Sequence, residues 1–200
     1  RSRGVLDKAE EFFSKALGIN PLDYRIYIGL AETYLLMSEF DKARDLLQQS
    51  LPHAPSKEGL NYRSYSLRLI GHICYCYEHY GEAIESLKDA VKLSPDYKEA
   101  YYDLAKCYTL QGNSADAIPA LRKALRNNPL YFNLATREQD FDHVRDAIRQ
   151  TQEEMRNEAR EDAQSVIAEV KEFLAKAQKK GVKARVPRSY DKANSELNQQ

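Results

Sequence analysis

Four prolines divide the first two thirds of this chain at nearly equal intervals, and each follows a stretch of amphipathic sequence. They are Pro21, Pro55, Pro95 and Pro129, which stand 34, 40 and 34 residues apart. The same intervals recur in three columns of apolar or small residues: Ala9, Ala43, Ala83 and Ala117; Phe13, Leu47, Leu87 and Leu121; Ala16, Ser50, Ala90 and Ala124. A fixed period of this length is typical of a repeat architecture, in which stacked units share one continuous core.

Each unit contains two helices. Before the first set of columns lies a second set, which also repeats: Tyr27, Leu67 and Tyr101; Leu30, Ile70 and Leu104; Ala31, Gly71 and Ala105; Tyr34, Cys74 and Tyr108. Within one unit these positions are spaced i, i+3, i+4 and i+7, which places them on one face of an α-helix. Proline then ends the second helix, because its ring cannot continue the hydrogen-bond ladder.

This combination of period, columns and closing proline resembles the tetratricopeptide repeat family over about residues 1–130. The resemblance implies an all-α fold, a right-handed superhelical array of antiparallel helix pairs. We predict a half repeat at 1–22 and full repeats at 23–56, 57–96 and 97–130. The third unit is preceded by six extra residues, which would lengthen its first helix by about one and a half turns.

After Pro129 the repeat stops, and we predict capping helices at 131–150 followed by an extension at 151–200. Five apolar residues would cover the core of the last repeat: Phe132, Leu134, Phe141, Val144 and Ile148. A long charged helix then follows, because apolar residues recur every three or four positions with no Gly or Pro before Gly181. A short helix after Pro187 would fold back on it as a hairpin. The basic tip of that hairpin, residues 176–188, is interpreted as a solvated turn.

The first helices of such repeats line a concave wall that suits an extended peptide or a partner helix. The stripe opposite the buried columns interleaves aromatic, apolar and charged residues of both signs. We predict these partner-binding positions: Arg25, Ile28, Glu32, Leu35, Tyr65, Arg68, His72, Tyr75, Glu99, Tyr102, Lys106 and Thr109. Tyr and Arg are common interface anchors. The alternative is a solvated face with scattered tyrosines.

Some members of the family clamp the terminal carboxylate of a chaperone tail with Lys, Asn and Arg side chains. The matching positions here are Ile28 and Glu32, then Leu69, then Glu99 and Asp103. Acidic residues in place of cations would repel an anionic terminus, so a carboxylate clamp is not expected.

The segment HICYCYEHY at 72–80 offers several metal-binding side chains in nine positions. Cys74 falls in the buried column and Cys107 falls beside it, so both are predicted to be core residues. His72, Cys76 and His79 share a helical face, but no fourth ligand and no zinc spacing accompany them. We therefore predict no metal and no cofactor.

Composition and motifs exclude several other classes. Thirty Lys plus Arg balance thirty Asp plus Glu, so no net charge draws the chain to nucleic acid, and no membrane span is expected. The sequence contains no phosphate-binding glycine loop, no GxSxG and no HExxH, so catalysis is not expected. An odd number of cysteines favours a reducing compartment, the cytoplasm, with the periplasm or envelope as the alternative.

The sequence therefore favours a protein-interaction scaffold that binds a protein or peptide ligand in its concave wall. A structural protein that self-associates as a homo-oligomer through 150–200 is the competing interpretation. A regulatory fragment of a larger multidomain protein is the third.

Overall fold

A computed structural model of the chain describes residues 3–55, 60–126 and 128–179, and helices dominate all three ranges. The helices are α1 (Arg3–Ile19), α2 (Tyr24–Leu36), α3 (Phe40–His53), α4 (Leu60–Cys76), α5 (Tyr80–Leu93), α6 (Lys98–Leu110), α7 (Ser114–Leu125), α8 (Pro129–Ala135) and α9 (Arg145–Lys179), with a 3-10 helix at Gln139–Val144. No strand occurs within these ranges. The prediction of an all-α array of helix pairs is confirmed.

Consecutive helices pack as antiparallel neighbours, and the repeated columns form their shared core. The small residues Ala31 and Ala105 in the first helices, and Ala43, Ala83 and Ala90 in the second helices, are all fully buried. Leu47, Leu87 and Leu121 in the second helices are also almost inaccessible to water. Small side chains on one helix allow close approach of the next, so the bulky column can pack against it.

A glycine occupies the small-residue column of the third unit for a steric reason. A Cβ atom on Gly71 would stand 2.7 Å from Cγ of Leu87 and 3.3 Å from the carbonyl oxygen of Ala83. Helix α4 therefore approaches α5 more closely than an alanine would allow. The matching positions in α2 and α6 are alanines, so this contact distinguishes the third unit from its neighbours.

The same turn joins the two helices in each of the three units. In the first of them the N–H of Ser38 donates to the carbonyl of Leu35, and the N–H of Glu39 donates to that of Tyr34 at 2.8 Å. This pair of bonds is a Schellman motif, which requires one residue in the left-handed conformation. Ser38, Glu78 and Gly112 fill that position, with φ of 62°, 59° and 82°.

Helix α4 is longer than its counterparts at its N-terminal end. It has 17 residues, whereas α2 and α6 have 13 each. The described extra residues add about one turn of the one and a half turns predicted. The remainder of the six-residue insertion falls on 56–59, outside the described residues.

The segment after the last repeat covers its core with a different set of side chains from the one predicted. Phe141, Val144 and Ile148 are buried, as expected, but Leu134 is 39% exposed and Phe132 is half-buried. Ala135, the neighbour of Leu134, is buried instead. The prediction for Leu134 is wrong, because a helix of only seven residues presents few side chains to the array and Ala135 occupies the inward position.

The chain consists of two compact units, residues 1–148 and 149–200. In the second unit the structure describes only the continuation of α9, a helix of 35 residues in all, or about 52 Å. Most of its side chains in 153–179 are exposed, including Val166 and Phe173. The predicted hairpin arm after Pro187, and most of the basic tip, lie outside the described residues.

Candidate site on the concave face

The outward side chains of the first helices α2, α4 and α6 form one wall of the array, here called the concave face. Its centre is an ion pair between neighbouring units, in which Nε of Arg68 on α4 donates to Oδ2 of Asp103 on α6 at 2.7 Å. Burial disfavours the charge on Arg68, but Asp103 and Tyr97 more than compensate and raise its pKa. Both partners are half-buried, so the pair joins two repeats while one side stays open to solvent.

A second bond joins α2 to α4 on the same face. The hydroxyl of Tyr65 donates to Oε1 of Glu32. Burial, together with this bond to a carboxylate, raises the pKa of Tyr65 to about 12. The phenol is therefore neutral at physiological pH and can donate to the Glu32 carboxylate.

The third connection ties α4 and α6 to the 3-10 helix that follows the last repeat. Nζ of Lys106 lies 2.9 Å from Oδ2 of Asp140 and 3.2 Å from Oε1 of Glu138. Tyr75 donates from its hydroxyl to Oδ2 of Asp140 at 2.7 Å, and Lys106 lies 4.7 Å from the centre of the Tyr75 ring. Burial and the bond to Asp140 raise the pKa of Tyr75 to about 12. This cluster closes one end of the concave face.

Three of the predicted partner-binding residues are buried, so the prediction that they face a partner is corrected for them. Ile28 is 6% exposed, Tyr102 6% and Thr109 4%. Each is three or four positions from the small-residue column, which on a helix of 3.6 residues per turn leaves it only about 40 to 60° from the core direction. Tyr102 also packs between Tyr131 and Phe141, with ring centroids 4.9 and 5.5 Å away.

The remaining predicted residues keep access to solvent but differ in how they are held. Arg25 is bonded to Asp23, the N-cap of its own helix. His72 is exposed and stacks on Tyr75 at 6.0 Å, whereas Leu35 is half-buried and Glu99 is exposed. The face therefore combines polar side chains that are held in hydrogen-bonded pairs with a few solvent-exposed side chains that are not.

The cysteines and histidines of 72–80 lie on different sides of α4 and its turn. Cys74 is buried, and so is Cys107, whose pKa is raised to about 12 by burial. Cys76 is exposed, with Sγ 3.7 Å from Nε2 of His72. His79 instead faces Glu82 at 3.7 Å. Among the described residues, no group of three metal-binding side chains comes together.

Several residues of this face were not among the predicted positions. Asp103 could have been included from the sequence, because it lies four residues after Glu99 and so shares its side of α6. Tyr97 precedes α6 and its pKa is raised by burial, with Arg68 as a neighbour. Asp140 is 65 residues away from Tyr75 in the chain, and no local pattern indicates that pairing.

The described helices include none that is long and apolar enough to cross a membrane. Successive helix pairs that stack on one another define the class of helical repeat proteins. The family model for the tetratricopeptide repeat matches residues 2–60 and 77–137. The chain belongs to the tetratricopeptide repeat family.

Two curated relatives match about the same length of the chain. One is the BBSome complex member BBS4 of Bos taurus, 29% identical over 124 residues, or 62% of this chain and 22% of that protein. The other is the tetratricopeptide repeat-containing protein trd-1 of Caenorhabditis elegans, 25% identical over 126 residues, 62% of this chain and 16% of that protein. The chain thus spans less than a quarter of either relative.

Solved structures of repeat proteins share the fold. A crystal structure of MamA protein superposes with a TM-score of 0.61 at 21% identity, covering 94% of this chain and 92% of that one. The structure of YrrB, described as a TPR protein with an unusual peptide-binding site, gives 0.54 at 17% identity, covering 76% and 80%. At these identities the likeness concerns the fold alone.

Proposed function

We propose that this chain is a protein-interaction scaffold that binds an extended peptide or a partner helix along the concave face. The observation that carries the proposal is the composition of that face. Half-buried and exposed aromatic and charged side chains from three successive first helices stand side by side there, held by bonds between repeats. Rigid aromatic and charged groups of this kind suit recognition, because little conformational entropy is lost when a partner binds.

Six residues of the predicted set are the best placed to contact such a partner. They keep solvent access, and all but His72, which contacts Tyr75 and Cys76 of its own helix, are bonded to a neighbouring element: Glu32, Tyr65, Arg68, His72, Tyr75 and Lys106. Ile28, Tyr102 and Thr109 are left out of the proposed contact set because they are buried. The peptide-binding description of YrrB belongs to that protein and supports only the type of function proposed for this fold.

The experiment is selection of a random twelve-residue peptide library on the immobilised full chain, followed by titration of the selected peptides by fluorescence polarisation. His72→Ala and Tyr65→Phe should weaken binding several-fold, because an anchor contact is worth on the order of 1 kcal/mol or more. Glu85→Ala, on the exposed side of α5, is the matched control and should leave the affinity unchanged. Peptides that bind wild type and both concave-face variants equally would refute the assignment of the site.

A second function, self-association through the extension, is favoured by one observation on α9. Val166 is 58% exposed and Phe173 is 68% exposed, seven residues apart on the same helical face. A helix with such a stripe can bury it against a second copy. Multi-angle light scattering should show a concentration-dependent mass that Val166→Asp with Phe173→Asp abolishes. A constant monomeric mass for the wild type up to high protein concentration would reject this second function.

A further inference from the structure

A recess of about 550 Å³ opens beside the concave face, between the N-terminal half of α4 and the turn that leads from α5 into α6. Its lining residues are Asn61, Ser64, Tyr65, Leu93, Ser94, Pro95, Asp96 and Tyr97. Recesses of this volume accommodate a single side chain or a small ligand. The extra turn of α4 contributes one wall, since Asn61 belongs to the residues that α2 and α6 lack.

The walls of the recess are fixed by bonds between its elements. Ser64 is buried on α4 and its hydroxyl donates to the carbonyl of Ala90 on α5 at 3.0 Å. At the rim, Oγ of Ser94 lies 3.4 Å from Oδ1 of Asn61, so the turn is also tied to α4. A recess formed by bonded elements is present before a ligand arrives, which lowers the cost of binding.

The lining offers aromatic rings and negative charge, but no Lys or Arg is among the residues that line it. Tyr65 and Tyr97 supply the rings, and Asp96 supplies a carboxylate at the exposed rim. Two further carboxylates lie near the two rings. Glu32 accepts the hydrogen bond from Tyr65, and the negative charge of Glu99 contributes to the raised pKa of Tyr97. Arg68 pairs with Asp103, and its guanidinium carbon lies 5.8 Å from the centre of the Tyr97 ring. Asp96 also borders a second recess, which is lined by Lys98, Lys123 and Arg126.

Aromatic faces beside carboxylates attract a cation and its alkyl stem at the same time. A guanidinium or ammonium group over a tyrosine ring gains about 0.5 to 2 kcal/mol, and the methylene groups of Lys or Arg pack on the same apolar surface. An acidic side chain would instead meet the Asp96 carboxylate at the rim, with no Lys or Arg among the lining residues. Charge and shape thus both select a long basic side chain.

We propose that this recess is the anchor pocket for a Lys or Arg side chain of a peptide that lies along the concave face. The proposal rests on the peptide-binding function above and specifies the chemistry of the partner. Tyr65 belongs to both the recess and the concave face, so a peptide on the face passes directly over the mouth of the recess. The basic side chain enters between Tyr65 and Tyr97, and its charge is neutralised by Asp96 at the rim.

The experiment uses the random twelve-residue library selected on the full chain, with the selected peptides then synthesised in matched forms. Selected peptides should share one Lys or Arg position, and replacing that residue by norleucine should weaken binding about tenfold, or about 1.4 kcal/mol. Norleucine keeps the alkyl stem and removes only the charge. Asp96→Asn should cause a comparable loss of affinity. In 0.5 M NaCl the difference in affinity between wild type and Asp96→Asn should become smaller.

Two variants of Tyr97 separate recognition from folding. Tyr97→Phe keeps the aromatic face and should retain binding, whereas Tyr97→Leu keeps apolar volume without a π-system and should weaken it several-fold. Circular dichroism and the urea midpoint establish that each variant is folded, and Glu85→Ala serves again as the control. Equal affinity of the Phe and Leu variants would overturn the role given to the ring.

The outcomes distinguish this inference from the function on which it rests. One outcome is that peptides bind the concave face and yet lose less than twofold in affinity when norleucine replaces their basic residue. That result would refute the anchor pocket and leave the scaffold function standing. If no peptide is enriched from the library, both are refuted. A shared basic residue whose contribution disappears in Asp96→Asn supports both.

Discussion

The repeat array and the long C-terminal helix are both built from apolar residues at helical spacing, yet they bury those residues very differently. In the array, Leu87 and Ala90 on α5 have no exposed surface. In the second unit, Phe173 on α9 is 68% exposed although it occupies the same kind of stripe. The comparison teaches that periodicity predicts a helix and its apolar side, whereas burial depends on a neighbouring helix being present at the right distance.

The largest expected effect contrasts one side chain from each region. Leu87→Ala should lower the free energy of unfolding by about 3 to 5 kcal/mol, because it removes a fully buried side chain and leaves a cavity. Phe173→Ala should change it by less than about 0.5 kcal/mol, as expected for an exposed position. Urea titrations followed by circular dichroism measure both. A similar loss for the two variants would contradict the contrast in burial.

A second pair of variants tests how tightly the array itself is packed. Gly71→Ala should destabilise the protein by about 1 to 3 kcal/mol, since the new methyl group would collide with Leu87 and with a backbone carbonyl. Gly29→Ala is the matched control. Its methyl group meets only the end of the half-buried Phe13 ring, which can move aside, and the gain in helix propensity offsets the contact.

Both glycine variants are measured by thermal and urea unfolding under the same conditions. If Gly71→Ala is as stable as wild type, the close approach of α4 to α5 is not required by the fold. If Gly29→Ala is strongly destabilising, α1 is held more rigidly than its exposed side chains indicate.

The third prediction concerns how the stability of the repeat array depends on pH. The pKa of Tyr65 and that of Tyr75 are raised to about 12 in the folded chain, against an ordinary value of 10. The unfolded chain therefore loses these protons first, so the folded state binds more protons and stability falls as pH rises from 10 towards 12. Tyr75→Phe should reduce that alkaline loss, at a cost of about 1 kcal/mol at neutral pH.

The measurement is the urea midpoint of wild type and Tyr75→Phe at pH 8, 10 and 11. Helix α9 contains no tyrosine, so it contributes no tyrosine ionisation to the alkaline loss. An equal alkaline loss in both proteins would mean that the bond between Tyr75 and Asp140 contributes nothing to the folded state.

The smallest expected effect lies in the turns of the array. Ser38 and Glu78 adopt positive φ at the position that Gly112 fills in the last repeat. Ser38→Gly removes the strain of a left-handed side-chain residue but gives the unfolded chain more freedom, so a net gain of a few tenths to about 1 kcal/mol is expected. Gly112→Ser is the reverse control, and it should destabilise by a similar amount in the same unfolding assay.

The sequence was sufficient for the fold because the same columns appear three or four times, and repetition distinguishes a core position from an accidental match. Residues such as Ala83 and Leu121 could be assigned to the core on this basis. Leu134 could not be assigned correctly, because it lies in a segment that occurs once and no second copy shows which side of the short helix faces inward.

The candidate site was less predictable for two physical reasons. Residues at the edge of a helix face can be buried or exposed, and helical spacing does not decide which. Spacing therefore predicts an exposed Tyr102, whereas Phe141 of the following segment packs over it. Pairings such as Tyr75 with Asp140 depend on where the chain returns after the last repeat, which local spacing does not determine. The recess beside Tyr97 likewise arises from the length of α4, which the six extra residues indicated only in outline.

The three bonds that cross the concave face have one more consequence. Neighbouring elements are joined by a different partner pair at each junction: Glu32 with Tyr65, Arg68 with Asp103, and Tyr75 with Asp140. The helix pairs share the same core columns and turns, but these side-chain pairs differ from one junction to the next. Exchanging two units would separate the partners of these pairs, so we expect the present order of the repeats to be more stable than a shuffled one.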